Sequence, residues 1–323
     1  MPTISHYNLQ SYCLSCGFIG HKPAFVSVEG FIVFLTLSPQ ILDVHQGIIS
    51  SHFSPDNTAI ITGGEDGKIC QTTADGRTEL LGKQDRKWIN NVAFGPQKAF
   101  AFSSSRTTWA HVGKEQQELL HERSVEGLAF APKGLRLAVA HYNGVTLHWL
   151  STQIPPTTLV WKGAHCGVTF SPDNRYVIST MQENALHGWR LSDNQHLRMS
   201  GYPNKVKSWS WSAKGKWLAT SGASAAIVWP FQTKDGPMRK TPLELSTRAN
   251  ALVTKVSCHP SEEIVAVGFN DGMILCAHFR DGKEALLKDC GKSAISALNW
   301  DQTGHNLAFG SEGGECGIIN ISA

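Results

Sequence analysis

Short apolar runs alternate with polar, turn-rich stretches along the whole chain. One phase of the pattern repeats: an apolar residue, a small residue, an aromatic, a small residue and often proline. It reads SHFSPD at 51–56, VAFGP at 92–96, LAFAP at 128–132 and VTFSPD at 168–173. Weaker copies are WSWSA at 209–213, VSCHP at 256–260 and LNWDQ at 298–302. The third positions are 53, 94, 130, 170, 211, 258 and 300, with gaps of 41, 36, 40, 41, 47 and 42 residues. After each copy comes a second apolar segment (AIITGG, AFAFSS, LAVAHY, YVISTM, WLATSG, IVAVGF, NLAFGS), then turns such as EDGK, YNGV and NDGM, then a third segment. Several units show a fourth, such as TELL at 78–81. Strands of this length with turn signals this frequent predict an all-β chain, and nothing sustains a helical period.

Four tryptophans, Trp109, Trp149, Trp189 and Trp229, lie in third segments at intervals of 40 residues. This predicts one tryptophan at an equivalent strand position in each of four units, wedged between neighbouring sheets. There, one indole buries roughly 150–250 Å².

These residues resemble the WD40 repeat family, whose units run about 40–45 residues, and are also similar to a group of bacterial WD40 proteins. The resemblance implies a single closed β-propeller of four-stranded blades over residues 1–323. The Trp-Asp dipeptide of the family is absent, since the four tryptophans precede Ala110, Leu150, Arg190 and Pro230. Parts of its polar network are retained at His45, His165, Asp66 and Asp271. Residues 1–47 contain a degenerate further unit around Phe18, Ala24–Val28, Phe31–Leu37 and Gln40–Val44. Eight blades are therefore expected, with seven the alternative. The segment near Pro2–Leu9 is expected to complete the last blade, because closure removes the exposed sheet edges that invite aggregation.

Composition narrows the function. Charge is 29 basic against 26 acidic residues, a net +3, too weak to indicate a nucleic-acid binder. The longest apolar run, near Phe31–Leu37, is too short to cross a membrane, and the first residues lack the pattern of a signal peptide. With eight cysteines this predicts a cytoplasmic chain with reduced thiols. Cys13 and Cys16 are three apart on a predicted strand, so they are expected to face opposite sides. The stretch 204–219 interleaves lysines with Trp209, Trp211 and Trp217, and these indoles are expected to be buried. Residues 231–250, polar and Pro-containing, are expected to form an exposed loop.

No catalytic residue and no cofactor is expected. The expected function is a non-enzymatic scaffold that binds a protein or peptide, without membrane or nucleic acid, as a monomer. In WD40-like rings the loops from fourth to first strand surround the channel mouth; here they carry Arg86, Lys87, Trp88, Arg123, Lys205, Lys207 and Arg248. Turns further out carry Glu65, Asp66, Glu183, Asp271 and Glu312. Trp88 is the expected anchor, since interface energy concentrates in Trp and Arg. The alternative is a metal-dependent propeller enzyme or metal-binding protein using His165, Cys166, Cys258 and His259, with His52 on a first strand.

Overall fold

The computed structural model describes residues 2–322. The described residues are almost all strand and turn, with a single three-residue 3-10 turn at Pro96–Lys98. All seven recognised motifs end a first strand: those strands stop at Phe53, Phe94, Phe130, Phe170, Trp211, Cys258 and Trp300. The reason is the turn that follows. In SPDN, the Ser54 hydroxyl donates to Asp56 Oδ1 at 2.6 Å and accepts from the Thr58 and Ala59 amides, while Asn57 takes a left-handed φ of 55°. Ser171, Asp173 and Asn174 repeat the device, with Asn174 at φ 63°. Serine, aspartate and asparagine suit such turns because their short side chains bond the local backbone.

The strands form seven sheets in a β-propeller arrangement. The first sheet is Cys13–Ile19, Lys22–Ser27, Phe31–Phe34 and Gln40–Asp43. The second is Ile48–Phe53, Ala59–Gly64, Lys68–Thr73 and Thr78–Lys83; the third is Asn91–Phe94, Phe100–Ser104, Thr107–Val112 and Glu115–Leu120. The fourth has six strands: Val125–Phe130, Arg136–Trp149, Thr157–Phe170, Tyr176–Met181, Leu186–Arg190 and Gln195–Met199. The fifth is Trp209–Trp211, Trp217–Thr220, Ala226–Pro230 and Leu243–Leu245; the sixth is Val253–Cys258, Ile264–Phe269, Ile274–His278 and Glu284–Lys288. The seventh is Ile295–Trp300, Asn306–Ser311 and Glu315–Asn320, completed by Thr3–Asn8, which pairs antiparallel with Glu315–Asn320.

Seven sheets replace the eight expected first. The N-terminus is not the cause, because residues 13–43 form a sheet of their own. The difference arises in the fourth sheet, where two strands are 14 residues long. The first of these pairs with Val125–Phe130 through its leading half and with the next strand through its trailing half. It also folds back on itself, Leu150 N–H donating to Leu135 O at 2.9 Å. The second pairs backwards over 157–164 and forwards over 165–170. The extended backbone continues through 161–164, although the ladder skips from Val160 to Ala164, so two repeat units share one sheet.

Contacts group the chain into two compact units, residues 43–200 and residues 1–42 with 201–323. Burial grades across each sheet as its strand order dictates. Interior strands such as Ala59–Gly64 and Tyr176–Met181 are buried at every position, and edge strands such as Thr78–Lys83 are mostly exposed. Continuous apolar runs thus mark strands covered on both faces.

The tryptophan spacing does not mean equivalence. Trp189 pairs with Val177 and Trp229 with Leu218, and each partner also faces the last residue of its first strand. Trp109 pairs with Phe102, two residues further along its strand. Trp149 directly precedes Leu150, whereas Trp189 stands two before Leu191, which makes the corresponding bond to Arg175 O. His148 therefore holds the position equivalent to Trp189. A one-residue offset reverses the side-chain face, and Trp149 is only half-buried, under the Arg136 guanidinium. The expectation of four matched indoles is corrected to two.

Two further expectations change. A bulge between Cys13 and Ser15 alters the strand's register, so Cys13 and Cys16 are both buried in one apolar cluster with Cys316. Trp209, Trp211 and Trp217 are half-buried, not buried. Residues 231–250 are only partly exposed: Phe231, Gly236 and Pro237 are buried, and Leu243–Leu245 form the fourth strand of the fifth sheet.

Candidate partner-binding surface

In the unit of residues 43–200, the loop before the third sheet is held at several points. Gln84 N–H donates to Gly67 O at 2.9 Å, Ile89 N–H to Gly64 O at 3.1 Å and Asn90 N–H to Ser103 O at 2.9 Å. Gly67, at φ 74°, is required: a Cβ there would stand 2.2 Å from Gln84 O. Ile89 is fully buried, which turns its neighbour Trp88 outward at 59% exposure. Arg86 and Lys87 flank it, also exposed, and the Lys87 ammonium lies 5.4 Å from the Trp109 ring centroid. Arg123 is exposed in the loop before the fourth sheet, between His121 N–H on Arg106 O and Val125 N–H on Ser105 O.

In the other unit, Lys205 and Lys207 are exposed in a loop anchored by buried Tyr202 and Val206. Ser221 Oγ accepts from the Lys207 and Ser208 amides at 3.2 and 3.0 Å. Arg248 is committed elsewhere. Its guanidinium makes a bidentate pair with Asp271 at 3.0 and 2.7 Å and lies over Phe269. The pair holds the Asp271 carboxyl down at about 2, the Arg248 hydrogen bond being the main cause.

A polar network supports the second sheet. His45 Nδ1 lies 3.0 Å from Asp66 Oδ1 and Nε2 lies 2.9 Å from Thr62 Oγ1. A carboxylate only accepts, so Nδ1 carries the proton and Nε2 accepts from the hydroxyl. A family model described as "WD domain, G-beta repeat" matches residues 38–71, the stretch that contains all three. This stretch is thus similar to a WD40 repeat. Among solved structures, 1795 chains match, so the fold alone cannot specify a function. The crystal structure of the computationally designed Ika8 protein is similar at TM-score 0.77 and 18% identity, covering 97% of this chain and 98% of that one. A search of curated proteins found no match.

Other sheets vary this network. In the fifth, a phenol replaces the imidazole: Trp229 Nε1 donates to Tyr202 OH at 2.6 Å, which meets Thr220 Oγ1 at 2.6 Å. Burial pushes the Tyr202 phenol up to about 12. In the fourth, His165 bonds Ser179 Oγ at 2.7 Å and the Trp161 carbonyl at 2.9 Å.

The alternative ligand set is dispersed. Both ring nitrogens of His165 are thus engaged, and Cys166 is exposed with its thiol toward Ala164 O and Gln182. Cys258, buried and raised to about 12, contacts Ser210 O at 3.3 Å. His259 Nε2 meets Gly304 O at 3.0 Å, and its Nδ1 accepts the Glu262 amide at 3.0 Å. His52 Nδ1 accepts from the Phe94 amide at 3.4 Å. Among the described residues no group of three or more His, Cys, Asp or Glu is placed to hold a metal ion. Among the described residues no helix is long and apolar enough to cross a membrane.

Sequence reasoning missed an aromatic stack in the fourth sheet. Trp161 and His187 stack at 3.9 Å between centroids, Trp189 meets His187 edge-on at 4.8 Å, and His187 Nε2 lies 2.9 Å from His196 Nδ1. Burial first, then the neighbouring His196, pulls the His187 imidazole down to about 3. Its Nδ1 and the Trp189 Nε1 are buried without partners. The only sequence signal was the density of Trp and His between 161 and 196.

Proposed function

We propose that this chain is a non-enzymatic interaction scaffold for a protein or peptide, docking on the loops that precede the first strands. Trp88 carries the reading: a large aromatic is held in solvent by a loop bonded at several points to the sheet beside it. A preordered loop loses little entropy on binding. Arg86, Lys87 and Arg123 add exposed cations in the same compact unit, and Lys205 and Lys207 offer a separate basic pair in the other. Arg248 contributes less, since a partner's acid would have to displace Asp271. The same reading makes the chain a cytoplasmic monomer and a single domain, which predicts one unfolding transition.

The test is affinity capture from the native cell with wild type and with a folded Trp88→Ala/Arg86→Ala double variant. The variant should lose the principal protein partner. Full retention would reject this surface.

A further inference from the structure

A cavity of about 390 Å³ opens on the fourth sheet. Its walls come from three separated segments: Tyr142, the connection Trp161–Gly163, and the turn from Met181 through Glu183 to His187, with Arg198 opposite His187 on the next strand. The floor is apolar and aromatic. Tyr142 carries this surface out toward solvent, at 44% exposure. His187, almost fully buried, also lines the cavity, and its Nδ1 has no partner.

The charges around it are the telling feature. Lys162, Glu183 and Arg198 all line this cavity, and among the described residues none of the three forms an ion pair. Elsewhere in the same unit comparable side chains do pair, as Arg175 with Asp173 and Arg190 with Asp193. Lys162 and Arg198 are exposed. Two unpaired cations and one carboxylate give the rim a net positive charge over an aromatic floor.

We propose that this cavity is a second docking site, which accepts an aromatic side chain of a partner peptide flanked by acidic residues. The aromatic ring lies against Trp161 and Met181. The flanking carboxylates meet Lys162 and Arg198. Glu183 takes a donor from the anchor, which favours tyrosine, an aromatic with a polar tip. Complementary charge of this kind fixes which partner is accepted and in what orientation. The proposal rests on the scaffold reading but not on the Trp88 surface.

The probe is an acetylated pentapeptide with a central tyrosine between two pairs of glutamates, set against the same peptide with lysines. Calorimetric titration should show binding of the glutamate peptide and at least about tenfold weaker binding of the lysine peptide, the size expected for two exposed charge pairs. The double reversal Lys162→Glu/Arg198→Glu should lower affinity for the glutamate peptide about tenfold or more and invert the preference. Both positions are exposed, so the fold is expected to survive, and circular dichroism checks it. Tyr142→Ala should weaken binding, and Trp88→Ala should leave it unchanged. Equal binding of the two peptides, indifference to the reversal, or no binding of either overturns the proposal. Loss with Trp88→Ala instead assigns the peptide to the first surface and also overturns it.

Discussion

The second and fourth sheets each bond a histidine to a hydroxyl on a neighbouring strand, and then diverge: His45 precedes Ile48–Phe53, whereas His165 lies inside Thr157–Phe170. In the second sheet, His45 lies between Asp66 and Thr62 and the network closes. In the fourth, His165 bonds Ser179 and the Trp161 carbonyl, which fixes the opposite tautomer, with the proton on Nε2. Thr62 and Ser179 share a register position, counted from the ends of their first strands, and so do Asp66 and Glu183. Asp66 is tied to His45 and to the Lys68 amide. Glu183, one methylene longer and with no imidazole in reach of a hydrogen bond, faces a cavity. A closed network makes a rigid support. Moving the histidine frees its acidic partner and leaves polar groups for something else to satisfy.

The largest effect expected to sharpen this contrast is Trp189→Ala. This indole is fully buried, so its loss should destabilise by ~3–5 kcal/mol in urea unfolding. Trp149→Ala should cost well under half as much, because that indole lies on the other strand face; equal costs would refute the register assignment. His45→Ala should cost about 2–3 kcal/mol by removing the imidazole that links Asp66 and buried Thr62, whereas Asp66→Asn should cost less and raise the pH sensitivity of the second sheet.

Acid should separate the sheets next. Burial holds His187 at about 3 and His121 and His148 at about 4, below the ordinary 6.5. All three are in or beside the fourth sheet. Their neutral forms are favoured by the fold, so unfolded chains take up protons first as pH falls. The stabilisation is complete above 6.5 and declines as pH falls from there toward 4. The second sheet has His45, also lowered by burial although Asp66 opposes this. Amide exchange at decreasing pH should therefore quicken in the fourth sheet more than in the second. The smallest expected effect is Trp189→Phe: it removes a buried N–H without a partner, so its net cost should be within about 1 kcal/mol of zero. A loss as large as that of Trp189→Ala would mean the nitrogen is bonded.

Much of the fold was legible in the chain. The motif's third positions, six aromatics and Cys258, mark the ends of seven strands, and at Phe53 and Phe170 this is because SPDN turns act through bonds within a few residues. The first sheet could be read despite its weak motif, and Thr3–Asn8 completes the seventh as spacing required. The candidate surface was legible in part: Trp88 was recognisable as an aromatic in a loop, but that Arg248 is held by Asp271 was not, since those residues are 23 apart and meet only through the loop geometry.

What the sequence determined by itself is local: strand, turn and repeat, set by alternation and by side chains that bond their own backbone. Tertiary structure decided the rest. It joined two repeat units into one sheet, set Trp149 on a different face from Trp189 despite equal spacing, buried Cys13 and Cys16 in one cluster across a bulge, and gathered Lys162, Glu183 and Arg198 around one cavity. Each depends on register or on contacts between distant segments. A shift of one residue reverses a face without changing any residue's local preference, so composition and spacing leave no trace of it.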